Sequence, residues 1–543
     1  MSTEEFLRTP DQPVSRRREI GALVIPCAVI FILLYDQMYI AASFSDIATD
    51  FNSSESAGTR LLTVYFIAVG SLMIALGRLS QFIGLTRLLI ASCLTIGVGS
   101  LVSLIAFDLP TLMVSRVIVA AGAAAAIPTS YAIVSQTYTD GQRRNRAFSA
   151  LTVSVGAGGV AGALAGSFIG ATAVWHLGLA IPTLMLAVCS LFIAKFLPTE
   201  PPLAGWRGVQ VGSSLLLVLA LAALLTAIVV GGQYGFGAIE QPVEIWAFTF
   251  AAGTLLVPWL LAVGVVSLVL LSIRQVGRMR RGQPLLVDPR VFRIRRFRYG
   301  VIILVVVTLI STGLLSALPI FSTFAFGTPP LDLGVHALLV SVGTAFGGLS
   351  VAPLLARIPV YRLVQYTLIC QMLALGALFL LGVANPPELA FLPIFLIFGF
   401  ALGVNLGGLN NVLLVDVPEA ELSEGSALAQ TLSNLASGLA TAIALTIFVV
   451  SGQAAVSLIN DPADSASLGQ LADLQQIAPH GFVPVGQGGV DHIGAAVAPP
   501  FQTLANEINI VLLTQFGVLT LVTLFLAFFA VLVARKLRDP DPV

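Results

Sequence analysis

A chain of 543 residues that is 57% hydrophobic and only 10% charged carries too little charge for a soluble surface, where roughly a quarter of residues are charged. Lys plus Arg balances Asp plus Glu at 27 each, so nothing in the net charge points to nucleic acid or to an acidic partner. The four cysteines, Cys27, Cys93, Cys189 and Cys370, lie apart inside apolar runs and read as small hydrophobes, not as a disulfide framework or a metal cluster.

Apolar runs near the ~20 residues that a helix needs to cross the hydrocarbon core recur along the chain. Arg16, Arg17 and Arg18 precede the first. They resemble the flank of a signal peptide, but the run is long and lacks a small-residue cleavage site, so it is expected to remain as a span. The predicted spans are Ile20–Ala42, Ala57–Leu79, Leu85–Ala106, Leu112–Ser135, Phe148–Gly170 and Leu177–Phe196, one group of six. Two accessory spans follow, Val211–Val230 and Ile245–Ser272, and then a basic stretch. A second group of six comprises Tyr299–Phe324, Val335–Leu355, Tyr361–Val383, Leu392–Val415, Gly425–Val450 and Ile508–Ala534.

The expected fold class is an all-α polytopic membrane protein of about fourteen spans, two six-helix bundles plus two accessory helices. Its parts are a cytoplasmic N-terminus (1–19), an N-terminal bundle (20–197), the accessory spans with their basic loop (198–298), a C-terminal bundle (299–534) and a cytoplasmic tail (535–543). Basic residues test this reading, because cytoplasmic loops collect Lys and Arg. Of the 27, only Arg60 and Arg116 fall outside the predicted inner segments. The expected location is therefore the cell membrane, multi-pass, with both termini cytoplasmic. The segment 451–507 holds Asp461, Asp464, Asp473 and Asp491 and no basic residue, so it is expected outside. It reads as a connector or, through an amphipathic stretch at Ser467–Gln476, as a lid or a docking surface for an extracytoplasmic partner.

Three charges have no place in this scheme. Asp36 and Arg116 each lie about six residues inward from the outer boundary, roughly 9 Å deep at 1.5 Å per residue, and Arg60 enters at a shallower level. A charge at membrane depth is costly unless paired or hydrated, so such residues are expected to line the bundle interior. Asp36 and Arg116 are placed to meet. A carboxylate that alternately meets water and closes beside an arginine can load and release a proton, although a salt bridge that only locks helices together, and for Arg60 snorkelling to the headgroups, are the plainer readings. The second bundle offers amides instead, Asn405, Asn410, Asn411, Gln430, Asn434 and Gln515, suited to substrate contact or to bonds between helices. Gly158, Gly162, Gly166 and Gly170 recur every fourth residue, as do Gly399, Gly403 and Gly407, and both stripes invite close backbone packing.

The run Asp36-Gln-Met-Tyr-Ile-Ala-Ala-Ser-Phe-Ser-Asp-Ile47 resembles the first-helix motif of the fourteen-span drug:proton antiporter branch of the major facilitator superfamily. Gly77-Arg-Leu-Ser-Gln-Phe-Ile-Gly84 with Arg87 is similar to the superfamily's signature loop, and Leu112-Met-Val-Ser-Arg116 with Gly122 to its fourth-helix motif. Gly158 and Gly162–Ser167 resemble the antiporter motif of the fifth helix, and Gly425–Ala442 the thirteenth span. Three positions depart. Gln81 stands where the signature loop has an Asp that helps hold the inner gate, Ala163 where the antiporter motif has a proline, and Ser167 where it has a second glycine.

The resemblance implies a proton-coupled secondary transporter exporting a hydrophobic or amphiphilic solute by alternating access. Asp36 and Arg116 would couple protons, Arg60, Tyr39, Asn405 and Asn434 would line the substrate cavity, and Gly77, Gly84, Arg87, Gly158, Gly162 and Gly166 would serve gating. Its partners would be a small-molecule substrate, protons and the lipid bilayer. An uptake symporter, a lipid transporter and a non-transporting scaffold are the alternatives. No cofactor or metal is expected, and the scattered His176, His336, His480 and His492 give no pattern of nucleophile and base for an enzyme.

Overall fold

The computed structural model describes residues 16–443 and 520–537, apart from 44–46, 48–49, 52–55, 171–174, 198–209, 235–236, 238–242, 246–247, 252, 282, 284, 286–288, 327–329, 385–389, 419–421, 423–424, 438 and 441–442. The segment 451–507, the tail from 538 and the side chain of Arg60 lie outside the described residues.

The N-terminal half consists of α1 (Arg16–Ala42), α2 (Ser56–Ile83), α3 (Leu85–Leu104), α4 (Leu109–Thr137), α5 (Gly141–Gly170) and α6 (His176–Phe196). The accessory hairpin is α7 (Val211–Tyr234) and α8 (Leu256–Arg280), and the C-terminal half begins with α9 (Arg295–Phe326), α10 (Pro330–Leu355), α11 (Val360–Ala384) and α12 (Leu392–Leu413). These include twelve helices long and apolar enough to cross a membrane. Two more helical segments, α13 (425–437) and α14 (Thr520–Ala534), fall within the predicted thirteenth and fourteenth spans, most of whose remaining residues lie outside the described set.

Backbone hydrogen bonding inside each helix is what lets such a chain cross lipid. The helix ends follow local chemistry. Asp108 caps α4, accepting from the Thr111 N–H at 2.8 Å, with Pro110 in the first turn. Between α2 and α3 stands one residue, Gly84, at φ 86°, ψ 152°, a region essentially reserved for glycine. The second accessory span departs from expectation. Val243–Ile245 and Phe248–Phe250 pair as a short antiparallel hairpin, and the helix starts at Leu256 and continues past Ser272 to Arg280. β-branched and aromatic residues favour the strands, and Gly253 stands at φ 84° between them and the helix.

Within the N-terminal half α1 packs on α5 and α6, α3 on α4 and α6, and α2 on α4. In the C-terminal half α12 packs on α9, α10 and α11. The halves meet where α5 lies against α10 and α12, and the accessory hairpin leans on α2 through α7. Glycines set these distances. A Cβ on Gly158 or Gly162 would collide with the carbonyl oxygens of Phe31 or Tyr35, and one on Gly166 with Ala42, so this stripe seats α5 on α1. Gly156 and Gly159 lie on another face, against Ala345 and Ser341 of α10. On α10 and α12 the device is reciprocal, with Gly343 and Gly347 against the carbonyls of Leu396 and Phe400, and Gly399 and Gly403 against those of Val340 and Thr344. α5 keeps its turns where the antiporter motif has proline, and Ser167 Oγ donates to the Ala163 carbonyl at 3.0 Å.

Candidate functional site

Asp36 on α1 and Arg116 on α4 meet as expected. The Arg116 guanidinium donates to Asp36 Oδ2 at 2.9 Å, and both residues are almost completely buried. Its other terminal nitrogen donates to Ser103 Oγ of α3 at 2.5 Å. Ser103 lies 2.7 Å from Ser115 Oγ, which donates to the Leu112 carbonyl. The pair therefore ties three helices together. Asp36 Oδ1 and Arg116 Nε are buried and have no hydrogen-bond partner among the described residues. Such a pair is held by geometry while its hydrogen-bonding capacity is only partly used, which is costly in a low-dielectric interior. Next to it Gln37 donates to the Tyr65 hydroxyl at 3.0 Å.

An apolar layer that includes Tyr35, Leu61, Met113, Trp175 and Leu179 closes the bundle beyond the pair. Tyr39 belongs to this layer. It is fully buried, its hydroxyl donates to the Trp175 carbonyl at 2.5 Å, and a side chain on Gly178 would run into its ring. In this state Tyr39 faces α6 and not an open cavity. Trp175 in turn donates to Asp50 Oδ2 at 3.0 Å and stacks on His176.

The amides are dispersed. Asn405 is buried between α11 and α12, accepting from Thr367 Oγ1 at 2.6 Å and donating to Gln371 Oε1 at 3.1 Å. Asn434, half-buried on α13, approaches Met73 Sδ of α2 at 3.8 Å and so faces the other half. The structure thus brings Asp36 and Arg116 together but leaves Tyr39, Asn405 and Asn434 in three separate places. Of the residues assigned to gating, Gly84 forms the turn just described. Gly77 accepts from Ser80 Oγ at 2.8 Å, and Arg87 is exposed on α3. Gly158, Gly162 and Gly166 pack inside the N-terminal half, and the seam between halves runs through Gly156 and Gly159.

One important contact was missed from the sequence. Arg144, buried at the start of α5, donates to Ser135 Oγ of α4 at 2.8 Å and to Asn411 Oδ1 of α12 at 2.9 Å, with its guanidinium 5.4 Å from the Phe148 ring. Asn411 also donates to Asn145, and Ser426 of α13 donates to the Pro128 carbonyl of α4 at 3.0 Å. These bonds join the halves at the end where the helix-connecting arginines gather, hereafter the basic end. From the sequence, Arg144 is one more basic residue of an inner segment, between Arg143 and Arg146. The available signal was its spacing of four from Phe148, which places both on one helix face.

A family model described as Major Facilitator Superfamily matches residues 27–441. The chain belongs to that superfamily. Methyl viologen resistance protein SmvA of Salmonella typhimurium is 25% identical over 429 residues, covering 76% of this chain and 80% of that protein. Puromycin resistance protein pur8 of Streptomyces alboniger is 26% identical over 461 residues, 84% of each. Among solved structures, the human organic anion transporter MFSD10 superposes with a TM-score of 0.54 at 15% identity, covering 95% of this chain and 100% of that one. The proton:xylose symporter XylE gives 0.53 at 13%, covering 93% and 94%. Family and fold therefore make this chain a multi-pass membrane transporter and not an enzyme.

Proposed function

We propose that the chain is a proton-coupled exporter of a hydrophobic or amphiphilic small molecule, with Asp36 as the protonation site and Arg116 as its partner. The observation that carries this reading is the buried Asp36/Arg116 pair, with one carboxylate oxygen that has no partner among the described residues. Protonating Asp36 removes its charge, so Arg116 loses its counterion and keeps the bond to Ser103. The hold of α4 on α1 then weakens. Because α1 is seated on α5 by the glycine stripe, and α5 forms the seam with α10, a shift of α1 reaches the interface between halves within one helix. The polar bonds at the basic end, Arg144 and Asn145 to Asn411, are the contacts that opening on that side would break.

Export is the direction that the resistance proteins among the relatives support, since the fold itself does not set direction. One acid, Asp36, against two arginines, Arg60 and Arg116, gives this part of the chain a net positive tendency, which favours a neutral or anionic amphiphile over a dication. The test is transport of puromycin, methyl viologen and a panel of amphiphilic dyes by the purified protein in proteoliposomes with an imposed pH gradient. Asp36→Asn is expected to abolish uphill transport while leaving substrate counterflow. Uphill transport at the wild-type rate in that variant would remove Asp36 from the coupling step. In competition, stronger inhibition by cationic than by anionic dyes would reverse the assignment of substrate charge.

A further inference from the structure

Between Arg274 and Arg298 the chain carries nine arginines and a single acid, Asp288. The other connections read as inner hold two or three basic residues each, which suffices to orient helices. The excess calls for another explanation. The two described ends of this stretch are held in place: Gln275 donates to Gln210 Oε1 at 3.2 Å, the Arg274 guanidinium lies over Gly212 of α7, and Val291 and Phe297 are buried in the core. Arg296 is bonded to Asp416 at 3.2 Å, whereas Arg280, Arg281, Arg293 and Arg298 are exposed.

Two further features give this face a direction. On α8, Ile273, Val276 and Met279 are exposed at 65%, 43% and 54%, so exposed apolar side chains continue up to Arg280 and Arg281. At the first turns of α9 and α11, Arg298 lies 4.8 Å from the Tyr299 ring and Arg362 5.7 Å from the Tyr361 ring. The turn Arg535–Leu537 packs against both helices and adds the exposed Arg535. Tyrosine and arginine at the mouth of an apolar helix mark the headgroup level of a bilayer, and the guanidinium fork matches phosphate oxygens.

We propose that this face binds the headgroups of anionic phospholipids and so anchors the accessory hairpin and the first turns of α9 and α11 at the membrane surface. The occupants are lipids, with acyl chains along the outer side of α8 and phosphates at Arg280 and Arg281, at the end of α8, and at Arg293 and Arg298, around the start of α9. The site stands on charge and placement and does not depend on proton coupling.

The experiment measures retention of phosphatidylglycerol against phosphatidylcholine by the purified full-length protein in detergent, by native mass spectrometry, with glycerol phosphate as a soluble competitor. Phosphatidylglycerol is expected to be retained at least about tenfold better, each surface arginine being worth roughly a fivefold effect. The preference should fall to near unity in R280Q/R281Q/R293Q/R298Q and largely persist in the matching lysine variant. It should also be lost near 1 M salt, where the screening length is roughly 3 Å. Equal retention of the two lipids by the wild type would overturn the proposal, as would full displacement by glycerol phosphate, which would indicate a site for free phosphoesters. If the glutamine variant fails to insert, the salt titration decides, and a preference that survives 1 M salt excludes this site.

Discussion

One buried polar cluster in each half of the molecule invites comparison. In the N-terminal half Asp36, Arg116, Ser103 and Ser115 join α1, α3 and α4 through an ion pair. In the C-terminal half Thr367, Gln371 and Asn405 join α11 and α12 through neutral groups. Each leaves a buried polar atom without a partner among the described residues, Asp36 Oδ1 and Arg116 Nε in one and Gln371 Nε2 in the other. The difference lies in what protonation does. An amide network keeps its bonds across the physiological pH range, so it fixes helices. A carboxylate beside an arginine changes charge with one proton, and its partner is left uncompensated in a place where water does not help. On the proposed coupling, the same packing problem has a switchable solution in one half and a static one in the other.

The largest effect expected on this comparison comes from removing one member of the ion pair. Arg116→Leu leaves Asp36 charged and buried and should cost about 3–5 kcal/mol, read as a fall in the thermal unfolding midpoint of the detergent-solubilised protein. Pairing it with Asp36→Asn should recover much of that loss without restoring uphill transport. If the double variant is as unstable as the single, the cluster acts through packing and its charge has no special part.

A smaller effect is expected at the seat of α1. Gly162→Val places side-chain atoms against the Tyr35 carbonyl, and overpacking of this kind costs about 1–3 kcal/mol. Because it moves α1, which carries Asp36, it should slow uphill transport more than it lowers stability. The matching change on the second half's stripe, Gly403→Val, meets the Thr344 carbonyl and should show a similar loss of stability with a weaker transport defect. Equal transport defects in the two variants would argue against a special role for α1.

Most of the helices were legible in the sequence because membrane spans announce themselves by length and apolarity, and the Asp36/Arg116 contact because two charges at equal depth have few other places to go. The limits of legibility have physical causes. At Ile245 an apolar run was read as the start of a helix, although its β-branched and aromatic residues form a hairpin and the helix begins only at Leu256. Hydropathy does not distinguish these. Arg144 was hidden among loop charges because burial, not residue type, separates it from Arg143. The glycine stripe of α5 was visible, but which neighbour it seats was not, since spacing gives a face and not a partner. Asn405 looked like a cavity residue, and the structure surrounds it with Thr367 and Gln371.

Next in size is the neutral cluster itself. Asn405→Leu removes the partner of both Thr367 and Gln371 and leaves polar atoms buried, an expected cost of about 1–3 kcal/mol, with uphill transport per folded molecule unchanged. Loss of proton coupling in this variant would contradict the division into a switching half and a static half.

The smallest effect tests how rigid the static half is. Thr308 and Ser433 lie 2.7 Å apart between α9 and α13, and one turn on Thr312 and Ser437 repeat the contact at 3.2 Å. Paired hydroxyls of this kind inside a membrane couple by only about 0.6 kcal/mol on average, because the competing states also find partners. A double-mutant cycle of Thr308→Val and Ser433→Ala on the unfolding midpoint should return a coupling of that size and no change in the pH dependence of transport. A coupling several times larger would mean that the C-terminal half relies on this ladder far more than on the glycine-mediated packing of α10 on α12. Rigidity there would then rest on hydrogen bonds that a small rotation of α13 can break, and the contrast with the ion pair would narrow to one of charge alone.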